Sequence, residues 1–201
     1  MIKNIIFDFG NVLGWTLADY TTKTYVSDEA EQKLIREAVF DPMDWDKLNR
    51  GVMTDEELLQ KACSRLPKHL WEDACTVYNN WTNTATPVAG MARLVRELKQ
   101  KGYRMYLLSN ATMTFAKKYR TIPWMVSILE QFDGLVFSAE VGMAKPDFEI
   151  YEYVLKTYQL KAEETIFVDD FMENAEAAKK IGIEGYVFDQ DAEKLRKHLG
   201  L

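Results

Sequence analysis

Four polar features in the 201-residue sequence have residue types suited to moving a phosphoryl group. The apolar run Ile5-Ile6-Phe7 ends in a carboxylate, Asp8, and Gly10-Asn11 follows as a turn. Leu107-Leu108 ends in Ser109-Asn110, Lys145-Pro146 follows the run through Phe137 and Ser138, and Ile166-Phe167-Val168 ends in Asp169-Asp170 with Asn174 four residues on. In an open α/β sheet, ligands bind beyond the carboxyl ends of the strands. If these runs are strands of one parallel sheet, all four features meet along one edge. Taken singly, each has an ordinary structural use: a strand-terminal Asp as a helix N-cap, Ser-Asn as a turn, Lys as a solvated charge. Those uses leave the shared edge unexplained.

Phosphoryl transfer accounts for all four. Neighbouring carboxylates repel unless a cation neutralises them, and a hard ion such as Mg²⁺ takes oxygen ligands. One oxygen of Asp8, the main-chain carbonyl of Gly10 and the carboxylate of Asp170 form a candidate metal set, with Asp169 behind Asp170 or in its place. The other oxygen of Asp8 is then the candidate nucleophile, forming an aspartyl-phosphate. Lys145 screens Asp8 from the incoming dianion and stabilises the transferring group. The Ser109 hydroxyl and the Asn110 main-chain N–H are candidate phosphate holders, and Asn174 orients Asp170 or Lys145.

The elements that must position these residues alternate. Strands are expected over 4–9, 104–109, 134–138, 165–169 and 185–188, because continuous apolar runs of this length suit strands buried on both faces. Amphipathic helices are expected between them: 88–101, with Met91, Leu94, Val95 and Leu98 at helical spacing and Gly102 as its stop, then 148–158 and 174–181. This alternation predicts an α/β protein with a doubly wound, Rossmann-like parallel sheet. Between Leu17 and Thr86 no strand is evident. Helices are expected at 28–39, 54–65 and 69–81, with Ser27 and Thr54 as N-cap starts. The sequence therefore predicts a core of residues 1–16 and 87–201, with a small all-helical cap of residues 17–86 that emerges beside Asp8 and covers the site.

Bulk properties narrow the classes. The net charge is −6 and the pI about 5.1, without the basic stripe of a nucleic-acid binder. No signal-peptide pattern or membrane-length apolar run is evident, so a cytoplasmic protein is expected. Cys63 and Cys75 are expected to be free thiols in a reducing compartment, and no Cys/His spacing suits zinc. The two histidines, His69 and His198, lie apart from the four features, which disfavours a serine or cysteine nucleophile with a histidine base.

Together, Phe-Asp8-Phe-Gly-Asn-Val, Leu-Leu-Ser109-Asn110, Gly142-Met-Ala-Lys145-Pro146-Asp and Phe-Val-Asp169-Asp170 with Asn174 resemble, in order, the four motifs of the haloacid dehalogenase superfamily. The resemblance covers essentially the whole chain, including a helical cap after the first motif. It implies a Mg²⁺-dependent phosphatase of a small phosphorylated metabolite such as a sugar phosphate, similar to the Asp-x-Gly-Asn-Val group. One departure matters. Where such phosphatases carry a second Asp as general acid and base, this chain has Gly10. Its carbonyl can bind metal, but it cannot move a proton, and general acid–base catalysis is typically worth about 10²–10⁴-fold.

Two other readings follow from the same residues. The first is a weakly active or inactive relative that binds a phosphorylated ligand. The second is a 2-haloacid dehalogenase, which the acidic pair Asp169-Asp170 disfavours. In the cap, Trp45 is a candidate for stacking on a substrate face and Arg50 for meeting a second anion, against packing and solvation as their ordinary uses. Neither nucleic acid nor membrane is expected as a partner, and the chain is expected to be a monomer or small homo-oligomer.

Overall fold

The computed structural model describes residues 1–15 and 18–201. The expected boundary between core and cap, at 16/17, lies outside the described residues. The strands are β1 (Asn4–Phe7), β2 (Gly14–Trp15), β3 (Thr86–Pro87), β4 (Arg104–Ser109), β5 (Gly134–Phe137), β6 (Thr165–Asp169) and β7 (Glu184–Val187). Five of them form one parallel sheet in the order β5-β4-β1-β6-β7. The chain leaves β1 toward β4 and β5, then crosses back to β6 on the other side. The direction of winding therefore reverses between β1 and β6, which is where such sheets open a crevice.

β1 is buried along its length because it pairs on both sides and is covered on both faces. Its side chains alternate between two cores. Ile5 and Phe7 join the larger cluster with Met91, Leu94, Val95 and Leu98 of helix Met91–Gln100. Ile6 joins Tyr106, Leu108 and Phe167 under helices Phe148–Thr157 and Met172–Lys180. The larger cluster continues without a break into Ile35, Leu58 and Val77 of the helical insert. The insert therefore shares its apolar interior with one face of the sheet.

That insert is a set of short helices, Ala18–Tyr25, Glu29–Val39, Pro42–Asn49, Asp55–Ser64 and Trp71–Asn80. Asp28, not Ser27, caps the second, its carboxylate accepting from the N–H groups of Ala30 and Glu31. Thr54 starts the fourth with a full capping box closed by Glu57. The antiparallel ribbon of β2 and β3 joins the insert to the core. It was not expected from the sequence, because two residues per strand leave no periodic pattern. No helix among the described residues is long and apolar enough to cross a membrane.

Candidate active site

Asp8 sits one residue past β1, its N–H donating to the carbonyl of Val168 at 2.9 Å, so it lies at the mouth of the β1/β6 crevice. The chain then turns sharply: Leu13 and Gly14 both donate to the carbonyl of Phe9, and Asn11 adopts a left-handed φ of 54°. Asn tolerates that region better than most residues. This turn ends β1 at Phe7, two residues earlier than the sequence suggested.

Lys145 closes the constellation. Its Nζ lies 2.7 Å from Asp8 Oδ1 and 2.7 Å from Asp169 Oδ2, with its side chain 1% exposed. The ammonium also sits 5.2 Å above the Phe167 ring. Asn110 fixes the Lys145 backbone at both ends: Asn110 Nδ2 donates to the Lys145 carbonyl and Asn110 Oδ1 accepts from the Lys145 N–H, each at 2.8 Å. The amide side chain of Asn110 is thus committed to the lysine loop.

The two adjacent aspartates have different surroundings. Asp169 is fully buried and saturated. It accepts from Lys145, from the Phe171 N–H at 2.8 Å, and from Asn174 Nδ2 at 3.1 Å to each oxygen. Asn174 is itself steadied by the Tyr151 hydroxyl, which donates to its carbonyl at 3.0 Å. Asp170 is half-buried, and its Oδ2 accepts from Asn11 Nδ2 at 3.0 Å. The sequence marked Asn11 only as a turn residue. Its bond to a carboxylate 159 positions away depends on the sheet order and has no local signal.

One carboxylate oxygen from each of Asp8, Asp169 and Asp170 lies within 4.8 Å of the others. Three carboxylates against one ammonium leave two negative charges if all ionise. Burial, with Asp169 nearby, pushes Asp8 up to about 7 even though Lys145 pulls it down. Burial and the same neighbour raise Asp170, against the pull of the Asn11 hydrogen bond. Lys145 is raised: the two carboxylates outweigh the effect of its burial. An oxygen-only cluster with excess negative charge is the donor set a hard divalent cation requires.

A pocket of about 180 Å³ opens beside this cluster. Gly10, Ser109 and Asn110 line one part of it, while Phe9, Trp45, Trp81 and Phe115 give it aromatic walls. Trp81 stacks on Phe115 at 5.6 Å and meets Trp45 edge-on at 5.2 Å. Trp45 packs on Phe40 within the insert and also lines the pocket. Arg50 lies elsewhere. Its guanidinium is bound to Asp46 and Asp147 and lines a separate surface cleft. Phe9 and Phe115 carry no site signal in the sequence, Asn49 stands there beside Trp45 and Arg50 without a role of its own, and Trp81 reads there as cap core, whereas all four line the pocket. Trp81 has the hydrophobicity of a core residue, and only the folded arrangement shows it facing the site. The insert is pinned over the pocket by Ser138 Oγ, which donates to the Asn49 carbonyl, and by Asp55, which accepts from the Thr114 hydroxyl of the core and, within the insert, from Tyr78.

Residues 2–182 match the family model of haloacid dehalogenase-like hydrolases. A sesquiterpene phosphatase (astK) of Aspergillus oryzae is 33% identical over 91% of this chain and 88% of its own length. A D-ribitol-5-phosphate phosphatase of Bacteroides thetaiotaomicron is 26% identical over 92% of this chain and 91% of its own. Among solved structures, a family enzyme from Bacteroides thetaiotaomicron in complex with magnesium and inorganic phosphate superposes with a TM-score of 0.71. It is 21% identical, and the match covers 97% of this chain and 99% of that one.

Proposed function

The chain belongs to the haloacid dehalogenase-like hydrolases, a family shared with phosphatases, and from that footing we propose that it is a Mg²⁺-dependent phosphatase of a small phosphorylated metabolite. The observation that carries the reading is the Asp8–Lys145–Asp169 arrangement beside Asp170, closed at 2.7 Å on both sides of the ammonium. Asp8, Asp170 and the Gly10 carbonyl would hold Mg²⁺. When bound, the ion supplies Lewis-acid stabilisation of phosphoryl charge. Support for the ion comes from the donor set itself and from the magnesium and phosphate held by the structural relative.

The chain's own residues then divide the work. Asp8 keeps one oxygen on Lys145, and the other attacks phosphorus. A bond forms between that oxygen and phosphorus, the bond from phosphorus to the alcohol oxygen breaks, and the departing alkoxide takes a proton from water. Water then attacks the aspartyl-phosphate at phosphorus, releasing inorganic phosphate and regenerating the Asp8 carboxylate. Lys145, the Ser109 hydroxyl and the Asn110 main-chain N–H hold the phosphoryl oxygens. Asn174 holds Asp169, and Asp169 holds Lys145. The helical insert acts as a cap over the pocket. Release of phosphate from a panel of phosphate monoesters, assayed with Mg²⁺ and with a chelator, tests the reading. Turnover only with the ion is expected, and chelator-resistant release would refute it.

A further inference from the structure

We infer that Cys63 and Cys75 are a modification site in the helical insert, where hydrogen peroxide joins the two thiols in a reversible disulfide that braces helix Asp55–Ser64 against helix Trp71–Asn80. None of the residues lining the cleft at this pair lines the pocket beside Asp8. The inference therefore stands independently of the phosphatase reading.

The two helices run antiparallel, and hydrogen bonds at both ends of their seam fix the alignment. Tyr78, late in the second helix, donates to Asp55 at the start of the first. Trp71, which opens the second, donates from Nε1 to the carbonyl of Leu66 just past the end of the first, at 3.2 Å. Cys63 lies between Asp55 and Leu66, and Cys75 lies between Trp71 and Tyr78. Trp71, Cys75 and Tyr78 are at the spacing of one helix face, as are Leu59 and Cys63. The seam therefore brings the two sulfurs to the same stretch. Both cysteines are half-buried free thiols. They line one surface cleft together with Leu59, Gln60, Ser64 and Trp71. That cleft is open to a molecule as small as a peroxide. Each helix also reaches the core, Asp55 through the Thr114 hydroxyl and Asn79 through the Lys118 ammonium on its carbonyl. A link between the helices therefore stiffens the cap where it is anchored.

The chemistry balances with one peroxide. A thiolate sulfur attacks a peroxide oxygen, the O–O bond breaks, and a sulfenic acid and hydroxide form. The second sulfur attacks the sulfenic sulfur. An S–S bond replaces the S–O bond, and the oxygen leaves as water with the second thiol's proton. The first thiol's proton joins the hydroxide. Two electrons pass from the sulfur pair to the peroxide, and two waters result. A dithiol restores both thiols by exchange. The Cys63 thiol is hydrogen-bonded to Cys75, and burial and that neighbour push it up from its ordinary value. The reactive thiolate is then a minor form at neutral pH, which suits a slow brace and not a fast sensor.

The test treats the reduced wild type, Cys63→Ser and Cys75→Ser with excess hydrogen peroxide, then alkylates the remaining thiols. Non-reducing peptide maps read each cysteine directly, so methionine oxidation does not enter. The wild type is expected to yield a peptide joining Cys63 to Cys75 within one chain, which dithiothreitol separates. In each Ser variant the remaining cysteine has no resolving thiol and is expected to run on to the sulfinic and sulfonic acids. The link closes a short loop, so the oxidised wild type should melt about 5–10 °C above the reduced form, and neither variant should show that rise. A wild type whose cysteines run on to the acids without joining would overturn the inference. A link between two chains, or an internal link with no rise in Tm, would overturn it as well.

Discussion

Lys145→Met removes the cation bonded to a buried carboxylate cluster while keeping most of the side-chain volume. The Lys145 side chain is 1% exposed and touches Asp8 and Asp169 at 2.7 Å each. Breaking a buried pair by deleting one partner leaves uncompensated charge and costs about 3–5 kcal/mol. For a chain of this size, 1 kcal/mol moves Tm by about 2–4 °C, so a fall of about 6–20 °C is expected in chelator near neutral pH. The pH dependence has a definite sign. Asp8 titrates at about 7 in the folded protein against an ordinary 3.8. Its protonated form is therefore favoured by folding, and its contribution is fully present below about pH 4 and lost as pH rises through about 7. Without the ammonium, the folded pKa of Asp8 rises further. The gap between variant and wild type should then narrow at about pH 5, where Asp8 carries its proton, and widen toward about pH 8. Millimolar Mg²⁺ should narrow it again at the higher pH by restoring positive charge. Urea denaturation across this range, with chelator or Mg²⁺, measures all three effects. A variant within about 1 kcal/mol of the wild type in chelator at about pH 8, or a gap that grows as pH falls, would refute the charge balance assigned to the site.

Other expectations follow from the same geometry. Mg²⁺ must displace the proton that Asp8 holds up to about pH 7, so apparent affinity should rise about tenfold per pH unit below that value and level off above it. Calorimetric titration in buffers of different ionisation enthalpy would show the released proton, and a flat profile would exclude Asp8 as a ligand. Gly10→Asp restores a carboxyl group at the position where related phosphatases carry their acid and base. It should raise kcat for alkyl phosphates by about 10²-fold or more, and much less for aryl phosphates, whose leaving groups need no proton. Equal gains on both would show that the missing acid is not what limits turnover. Arg50→Ala breaks the link between the insert and Asp147 at a partly exposed site, so stability should change by no more than about 1 kcal/mol. A large loss of stability in that variant would mean that the pairing is worth far more than an exposed ion pair.

The parts of the fold that were legible in the sequence are those with strong periodicity or a two-sided environment. β1, β4 and β6 stand out as continuous apolar runs because neighbours cover both their faces. Helix Met91–Gln100 stands out because Met91, Leu94, Val95 and Leu98 recur at helical spacing and Gly102, with φ of 84°, ends it. Helix Pro42–Asn49 carries only a local start signal, Asp41 as N-cap before Pro42, with no clear apolar period behind it. The β2–β3 ribbon had no signal at all. Within the site, the strand-end carboxylates were legible because their types are costly to bury without a purpose. The roles of Asn11, Asn110 and Trp81 were not. Asn11 reaches Asp170 only because β1 and β6 lie side by side, and Asn110 clamps Lys145 only because β4 and β5 do. Nothing in the residue Trp81 distinguishes a ring that fills a core from one that also walls a pocket.

The most direct test of the account is to quench the protein in acid during turnover of a radiolabelled phosphate ester with Mg²⁺ and to map the labelled peptide. Label on Asp8, sensitive to hydroxylamine and absent from Asp8→Asn along with turnover, is the expected result. Label on another residue, or phosphate release that survives in Asp8→Asn with deamidation excluded by mass, would contradict it.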